Sequence, residues 1–397
     1  MTPVGITFAT IQFLFVTCWT VYVIFLPQLA AQAGIEKQWV IFILMADQVV
    51  FALMDYSMGV AADRVLRKLH RLGPLLVWAT AISCGAFLLL PFIAPAGSAV
   101  LFLAALLVWA MTSSALRAPP MVLLGKYVPA PTIPWVSTLT LFGMGLAGAL
   151  APYLTVSLRG VDPRLPFVLS SVALVAAVSG LLWAEKHLQQ AAAPESPATG
   201  QTGKGVNADV ALFYCAVALL GLGYQVHFAL NSAPAYLRFA KPADLEYLMP
   251  VFWIGFNVLI FPASAANKRF GGIGVMAVGS VVGALASWLA AVAPSLEVLL
   301  ALQFLAGGAW AAVLMSAVTA AIAIGHVGHE GAATGGLFSL LAIATLARIA
   351  LVATQANKDP ALSAMLVWVP AAAWIGAGLL LAWLVVRRRG VARQVVS

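Results

Sequence analysis

Of the 397 residues, 63% are hydrophobic and 9% are charged, and the mean hydropathy is +1.00. That leaves too little polar surface to coat a water-soluble globule of this size, which excludes the ordinary soluble enzymes and binding modules. The formal net charge of +8 would suit nucleic acid in a soluble protein, but here the basic residues fall in short clusters between apolar runs, where they report membrane orientation instead.

The runs are continuous and rich in Ala and Leu rather than alternating, so they read as helices and not as barrel strands. Each approaches the roughly 20 residues needed to span a bilayer. Twelve segments are predicted, near 6–31, 38–63, 73–93, 98–125, 134–158, 164–184, 209–236, 246–267, 271–293, 296–325, 332–356 and 361–386. The first lacks a basic leader and is too long for a signal-peptide core, so it is expected to be retained.

The second segment carries Asp47 and Asp55 within its apolar run. Eight residues separate them, about 12 Å along a helix and about 80° around it, so they share a broad inward face. An acid inside a membrane costs a few kcal/mol by insertion scales and marks a functional position by default. The segment ends in "MGVAADRVLRKL", with Gly59, Asp63, Arg64, Arg67 and Lys68. Arg117 falls in the inner third of the fourth segment. The fifth holds Gly143, Gly145, Gly148 and Pro152.

Residues 188–207, "LQQAAAPESPATGQTGKGVN", have the composition of a flexible linker. The chain therefore divides into 1–187, a linker at 188–207, and 208–397, with six segments on each side. The seventh segment contains Gln225, His227 and Asn231, of which Gln225 and Asn231 do not share a helix face. "AANKRFGG" closes the eighth and echoes "AADRVLRKLHRLG" of the second at an offset of about half the chain, as duplication of a six-helix unit requires. Gln303 and Trp310 lie in the tenth segment. His326, His329 and Glu330 in "GHVGHEG" are read as a solvated turn rather than a metal cluster. Arg348, deep in the eleventh segment, completes a balance of two acids and two arginines within the spans. Two pairings follow from that balance, Asp55 with Arg117 and Asp47 with Arg348. They either fix helix register or break and re-form as the halves move.

Placing both termini in the cytoplasm gathers the basic clusters at 64–71, 126, 186–204, 268–269 and 387–393 on the inner side. Fewer, including Lys37, Arg159 and Lys241, remain outside. Cys18, Cys84 and Cys215 have no metal-ligand spacing and read as packing residues. No H-E-x-x-H, G-x-S-x-G, Walker or aspartate-rich diphosphate motif occurs, so no enzyme and no cofactor is expected.

Gly59, Asp63, Arg64, Arg67 and Lys68 give G-x-x-x-D-R-x-x-R-K, which resembles the loop two-to-three motif of the major facilitator superfamily. The resemblance implies that Gly59 permits close helix packing, Asp63 caps or pairs at a helix end, and the basic residues hold a cytoplasmic gate. Leu66 departs from the Gly usual in that motif. "DYSMGVAAD" at Asp55, "APPMVLLGKYVP" and "EGAATGGLFSLLAIATLAR" are similar to stretches of the glycoside-pentoside-hexuronide cation symporters, in which an acid at the position of Asp55 takes part in cation binding. Phe51 stands where that group often has a second acid.

The fold expected is an all-α polytopic membrane protein with twelve transmembrane helices in two pseudo-symmetric six-helix bundles. The function expected is secondary active transport of a small solute by alternating access, with a proton or sodium ion as coupling partner. An organic anion is favoured as solute because two arginines are available. A sugar or siderophore permease, a proton-coupled efflux antiporter, and a receptor or scaffold are the alternatives. Uptake is favoured because the fifth segment lacks the full G-P-x-x-G-G pattern of drug exporters. The candidate binding residues are Asp47, Asp55, Arg117, Arg348, Gln225, Asn231 and Trp310. A monomer in a bacterial-type cytoplasmic (inner) membrane, in contact with lipid and not with nucleic acid, is expected.

Overall fold

The computed structural model describes residues 1–191, 208–325 and 328–396. Among them are twelve helices long and apolar enough to cross a membrane. They run Thr2–Gln32, Lys37–Leu69, Gly73–Ala96, Ala99–Tyr127, Ala130–Ser157, Arg164–Gln190, Ala208–Tyr236, Pro242–Phe270, Gly272–Ala291, Leu296–Ile324, Glu330–Ala353 and Val369–Arg387. The first six precede the undescribed stretch 192–207 and the second six follow it. Val100 is 81% exposed, Trp78 70% and Leu379 68%. Apolar side chains this open are stable only against lipid, so the protein is a multi-pass membrane protein.

The boundaries differ from the sequence reading where local chemistry outweighs hydropathy. The second helix continues through Arg64, Arg67 and Lys68 to Leu69 and closes on His70 in the left-handed conformation. The basic motif is therefore helical rather than part of a loop. Leu66, at 2% exposure, packs inward. The sixth helix runs on to Ala191, into the stretch read as linker. Residues 192–207 lie outside the described residues. The twelfth begins at Val369, after a separate short helix Pro360–Leu366.

Two spans are broken. The fourth is interrupted at Ser114–Leu116, where the helix tightens, and Arg117 follows with φ −99 and ψ −78. Pro119 and Pro120 supply no N–H to the carbonyls of the preceding turn. Gln12 replaces one of them, donating through Nε2 to the Leu116 carbonyl at 2.8 Å. In the seventh span, Gln225–Asn231 is a π-helix. Pro234 lies just beyond it and cannot donate to the Leu230 carbonyl, and the Ser232 hydroxyl instead reaches the His227 carbonyl at 2.9 Å.

The spans form two pseudo-symmetric six-helix bundles. The third span packs on the sixth as the ninth packs on the twelfth. Between the bundles the second span lies along the eleventh and the fifth along the eighth. A two-fold relation between halves exchanges those two pairs. The end carrying Asp63, Lys126, Lys268 and Glu330 is called the linker end below, and the opposite one the far end.

Candidate functional site

At the linker end the two halves meet through backbone. A Cβ on Gly59 would overlap the Gly331 carbonyl, and one on Gly331 would overlap the Gly59 carbonyl. Only glycine allows this approach. The Asp63 carboxylate, 2% exposed, accepts from the Gly331 N–H at 2.8 Å and from the Ala332 N–H at 2.9 Å. Both donors belong to the first turn of the eleventh span, where N–H groups have no partner within the helix and the dipole favours an anion. Ser339 adds a hydrogen bond to the Ala52 carbonyl at 2.6 Å. Gly125, at the linker end of the fourth span, lies against Glu330 and Ile322. Glu330 is buried there, which corrects its reading as part of a solvated turn; His326 of that turn lies outside the described residues. Arg67 lies beside Gly328, while Arg64 and Lys68 are exposed.

The second span is also tied within its own half. The Glu185 carboxylate accepts from the N–H groups of Leu72 at 2.6 Å and Gly73 at 2.9 Å, capping the third span. Gln189 donates to the His70 carbonyl at 2.9 Å. The end of the motif is therefore fastened to the third and sixth spans of its own half.

Deeper in the first half, Arg117 Nη1 meets Asp55 Oδ2 at 2.8 Å. The Asp55 side chain is fully buried and that of Arg117 is 18% exposed. The guanidinium lies 3.9 Å from the centre of the Phe51 ring, a desolvated cation–π contact. The residue where a second acid was sought is thus the platform for the arginine. Asp55 Oδ1 and Ser114 Oγ are both buried, with the Ser114 hydroxyl beside the Asp55 carboxylate.

Asp47 and Arg348 do not pair, against the sequence expectation. Among the described residues no Lys, Arg or His nitrogen lies within 4 Å of Asp47. Its carboxylate instead accepts from the Tyr22 hydroxyl at 2.6 Å. Tyr22 packs in an aromatic group with Trp19 and Trp109. Among the described residues Arg348 has no acidic partner within 4 Å, and its Nε is buried with no hydrogen bond. Helix geometry explains the separation. Arg348 lies only about 8 Å from the far end of its span and Asp47 about 15 Å from the far end of its own, so the two sit at different depths.

Around Arg348 the second half gathers Tyr224 as ionisable neighbour, Trp310 stacked on Tyr224 at 4.3 Å with planes 2° apart, and Gln225, bonded to Thr345 Oγ1 at 2.8 Å one turn before the arginine. Asn231 is elsewhere: its amide donates to the Leu366 carbonyl at 3.0 Å. Of the seven candidate binding residues, the structure therefore brings together Asp55 with Arg117, and links Arg348 to Gln225 and Trp310 only through Thr345 and Tyr224. Asp47 stands apart in the first half and Asn231 in a side cavity of the second. Tyr224 escaped sequence reading because one tyrosine in an aromatic-rich span carries no signal; the break at Arg117 had one, the Pro pair in "RAPP". Among the described residues no cluster of His, Cys, Asp or Glu could hold a metal ion.

Two six-helix bundles, joined through the second and eleventh and through the fifth and eighth spans, match the fold of solved transporters over nearly their whole length. The similar structures include the human organic anion transporter MFSD10 (TETRAN), at 15% identity and a TM-score of 0.69, covering 95% of this chain and 98% of that one. A bacterial homologue of the iron transporter ferroportin, in an outward-facing state, matches at 16% identity and 0.70, covering 96% and 99%. The major facilitator superfamily transporter FucP, in the outward conformation, matches at 14% and 0.68, covering 97% and 99%. The chain has the major facilitator superfamily fold. No family model and no curated protein matches it by sequence, and the narrower likeness to the glycoside-pentoside-hexuronide symporters gains no support from these structures. In this fold the second and eleventh spans face each other across the two halves, so Asp47, Asp55 and Arg348 all lie on spans that meet the opposite bundle.

Proposed function

We propose that the chain is a secondary active transporter that takes up a small organic anion by alternating access, with a proton as coupling ion, and is not an enzyme. The observation that carries this reading is Arg348, a membrane-embedded guanidinium with a buried, unbonded Nε and, among the described residues, no carboxylate within 4 Å. Such a charge is costly unless paired. A carboxylate or phosphate brought by the solute supplies the missing partner through the planar two-pronged contact that arginine favours. The half-buried Tyr224 beside it offers an aromatic contact for the rest of the solute and is held by Trp310, which stacks on it and is itself buried.

Asp47 is the proposed proton site. Its one bonded partner is a neutral phenol, so no cation holds it ionised, and it can carry a proton together with an anion so that the pair crosses with little net charge. Asp55 already has Arg117. A sodium-coupled alternative is favoured by one observation, the two buried oxygens of Asp55 and Ser114 side by side, since sodium prefers oxygen ligands. The relatives in structure include an organic anion transporter and a fucose:proton symporter, which agrees with this class without choosing the solute.

With the linker end in the cytoplasm of a bacterial-type inner membrane, the positive-inside bias is satisfied, and the contacts of Asp63 make the present state one closed to the cytoplasm. The division into a first bundle at 1–187 and a second at 208–397, each moving as a body in a monomer, belongs to the same proposal.

The test is uptake into proteoliposomes of a panel of radiolabelled organic carboxylates and phosphates, under an inward proton gradient and under an inward sodium gradient. Arg348→Lys should reduce uptake of the active anion at least tenfold while leaving expression and thermal stability near wild type, because an ammonium cannot reproduce the two-pronged contact. Since Asp47 and Arg348 do not pair, Asp47→Asn should not rescue Arg348→Ala. Absence of any anion uptake above empty liposomes, or full activity in Arg348→Lys, would remove the anion reading.

A further inference from the structure

The eighth and ninth spans each pack along the tenth but little on each other. They are joined at the linker end through Gly271, whose φ of +79 turns the chain sharply. A wedge is left between them, floored by Gly308, Ala309 and Ala312 of the tenth span, and it encloses about 690 Å³. A second cavity of about 570 Å³ lies nearer the linker end, between the start of the ninth span and the end of the tenth. The two share Phe270, Gly274 and Val385. A Cβ on Gly274 would meet no atom within 4 Å, so the space where they join is open.

The lining selects the kind of occupant. No charged side chain lines either cavity, and the one polar side chain is Thr319, whose hydroxyl is spent on the Met315 carbonyl at 2.8 Å. A polar solute would find no partner here. Phe270, Val278 and Val386 at the edges are exposed, so the groove faces the hydrocarbon of the bilayer. An acyl chain is flexible enough to enter it and regain the dispersion contacts that an empty groove forfeits.

The mouth at the linker end has the opposite character. Lys268 and Arg269 stand in the last turn of the eighth span, exposed at the level where lipid phosphates lie. The Arg269 guanidinium is 5.2 Å from the centre of the Phe270 ring, which lines both cavities. Neither basic residue has an acid within 4 Å among the described residues, and Asp209 at the same end is paired with Arg387 at 3.0 Å. Basic groups at the end of an apolar groove between spans favour an anionic head group over a zwitterionic one. We propose that this groove is a binding site for one anionic phospholipid from the leaflet at the linker end. Its phosphate sits at Lys268 and Arg269, and an acyl chain runs past Gly274 into the wedge. All the walls belong to the second bundle, so the site depends neither on the solute nor on the transport cycle.

The test is native mass spectrometry of the purified full-length transporter, incubated with equal amounts of phosphatidylglycerol and phosphatidylcholine carrying the same acyl chains. At roughly fivefold per basic residue near the surface, one phosphatidylglycerol should be retained at least tenfold more tightly than phosphatidylcholine. Lys268→Gln with Arg269→Gln should reduce that preference to within about twofold. Gly274→Leu, whose Cβ has free space, should fill the junction of the two cavities and weaken retention of the lipid at least tenfold with the apparent unfolding temperature unchanged. Arg71→Gln with Lys186→Gln removes two exposed charges from the same end of the first half and should leave the preference intact. The proposal is overturned if wild type shows no preference, if the Lys268 and Arg269 variant keeps it, or if Gly274→Leu retains the lipid as wild type does. It is also overturned if the Arg71 and Lys186 variant loses the preference equally, which would assign it to the overall charge of that end. A dimer that Gly274→Leu dissolves would give the groove to a second copy of the chain instead.

Discussion

Replacing Asp63 by alanine should open the linker end by an amount that the structure fixes. The carboxylate makes two hydrogen bonds to N–H groups of the opposite half, at 2.8 and 2.9 Å. Hydrogen bonds to a charged group contribute roughly 1.5–3 kcal/mol each net of water, so a net loss of one bond's worth of closure, the first-turn N–H groups of the eleventh span regaining water in place of the carboxylate, amounts to about 1.5–3 kcal/mol. At about 1.4 kcal/mol per factor of ten, the population open at this end should rise roughly 10- to 100-fold. Val122 reads that population, because it packs on Gly331 inside the seal and is 1% exposed. In a background with Cys18, Cys84 and Cys215 replaced by serine, the thiol of Val122→Cys should react with a water-soluble maleimide in proportion to the open fraction, even when that fraction is small. Adding Asp63→Ala should raise the labelling rate by the stated factor, and Asp63→Asn by less, since its amide keeps one acceptor oxygen. A change below about threefold, with helical content and expression unaltered, would mean that other contacts along the second and eleventh spans close the gate and that the Asp63 bonds add nothing net.

Two further outcomes follow from the acids and their partners. Arg117→Gln strands Asp55 as a buried, unpaired charge and should destabilise the protein by about 3–5 kcal/mol, seen as a lower apparent unfolding temperature. Most of the loss should return in the double variant with Asp55→Asn, and a single variant as stable as wild type would refute a structural role for the pair. Asp47→Asn preserves shape but cannot titrate, so in proteoliposomes it should abolish gradient-driven accumulation while leaving exchange of labelled for unlabelled solute. Normal accumulation would exclude Asp47 as the proton site.

What was legible in the sequence and what was not divide along a physical line. Bilayer insertion is a sum over about 20 residues, so hydropathy identified all twelve spans, and the cost of a charge in lipid singled out Asp47, Asp55, Arg117 and Arg348. Span ends depend on single residues. Leu69 and Ala191 end helices that hydropathy stopped short of, because charged residues continue a helix readily once it has left the hydrocarbon. Pairing is harder still, since charge balance is satisfied by any matching of two acids with two arginines. Only depth and azimuth choose among them, and both are set by how far the second span slides along the eleventh. The Gly59 to Gly331 contact fixes that slide. It brings Asp63 onto the first turn of the eleventh span, and it carries Arg348 past Asp47 toward the far end. The contact between the halves at the linker end thus also leaves Arg348 with no acid within 4 Å among the described residues, so the charge proposed to receive the anion follows geometrically from the same contact.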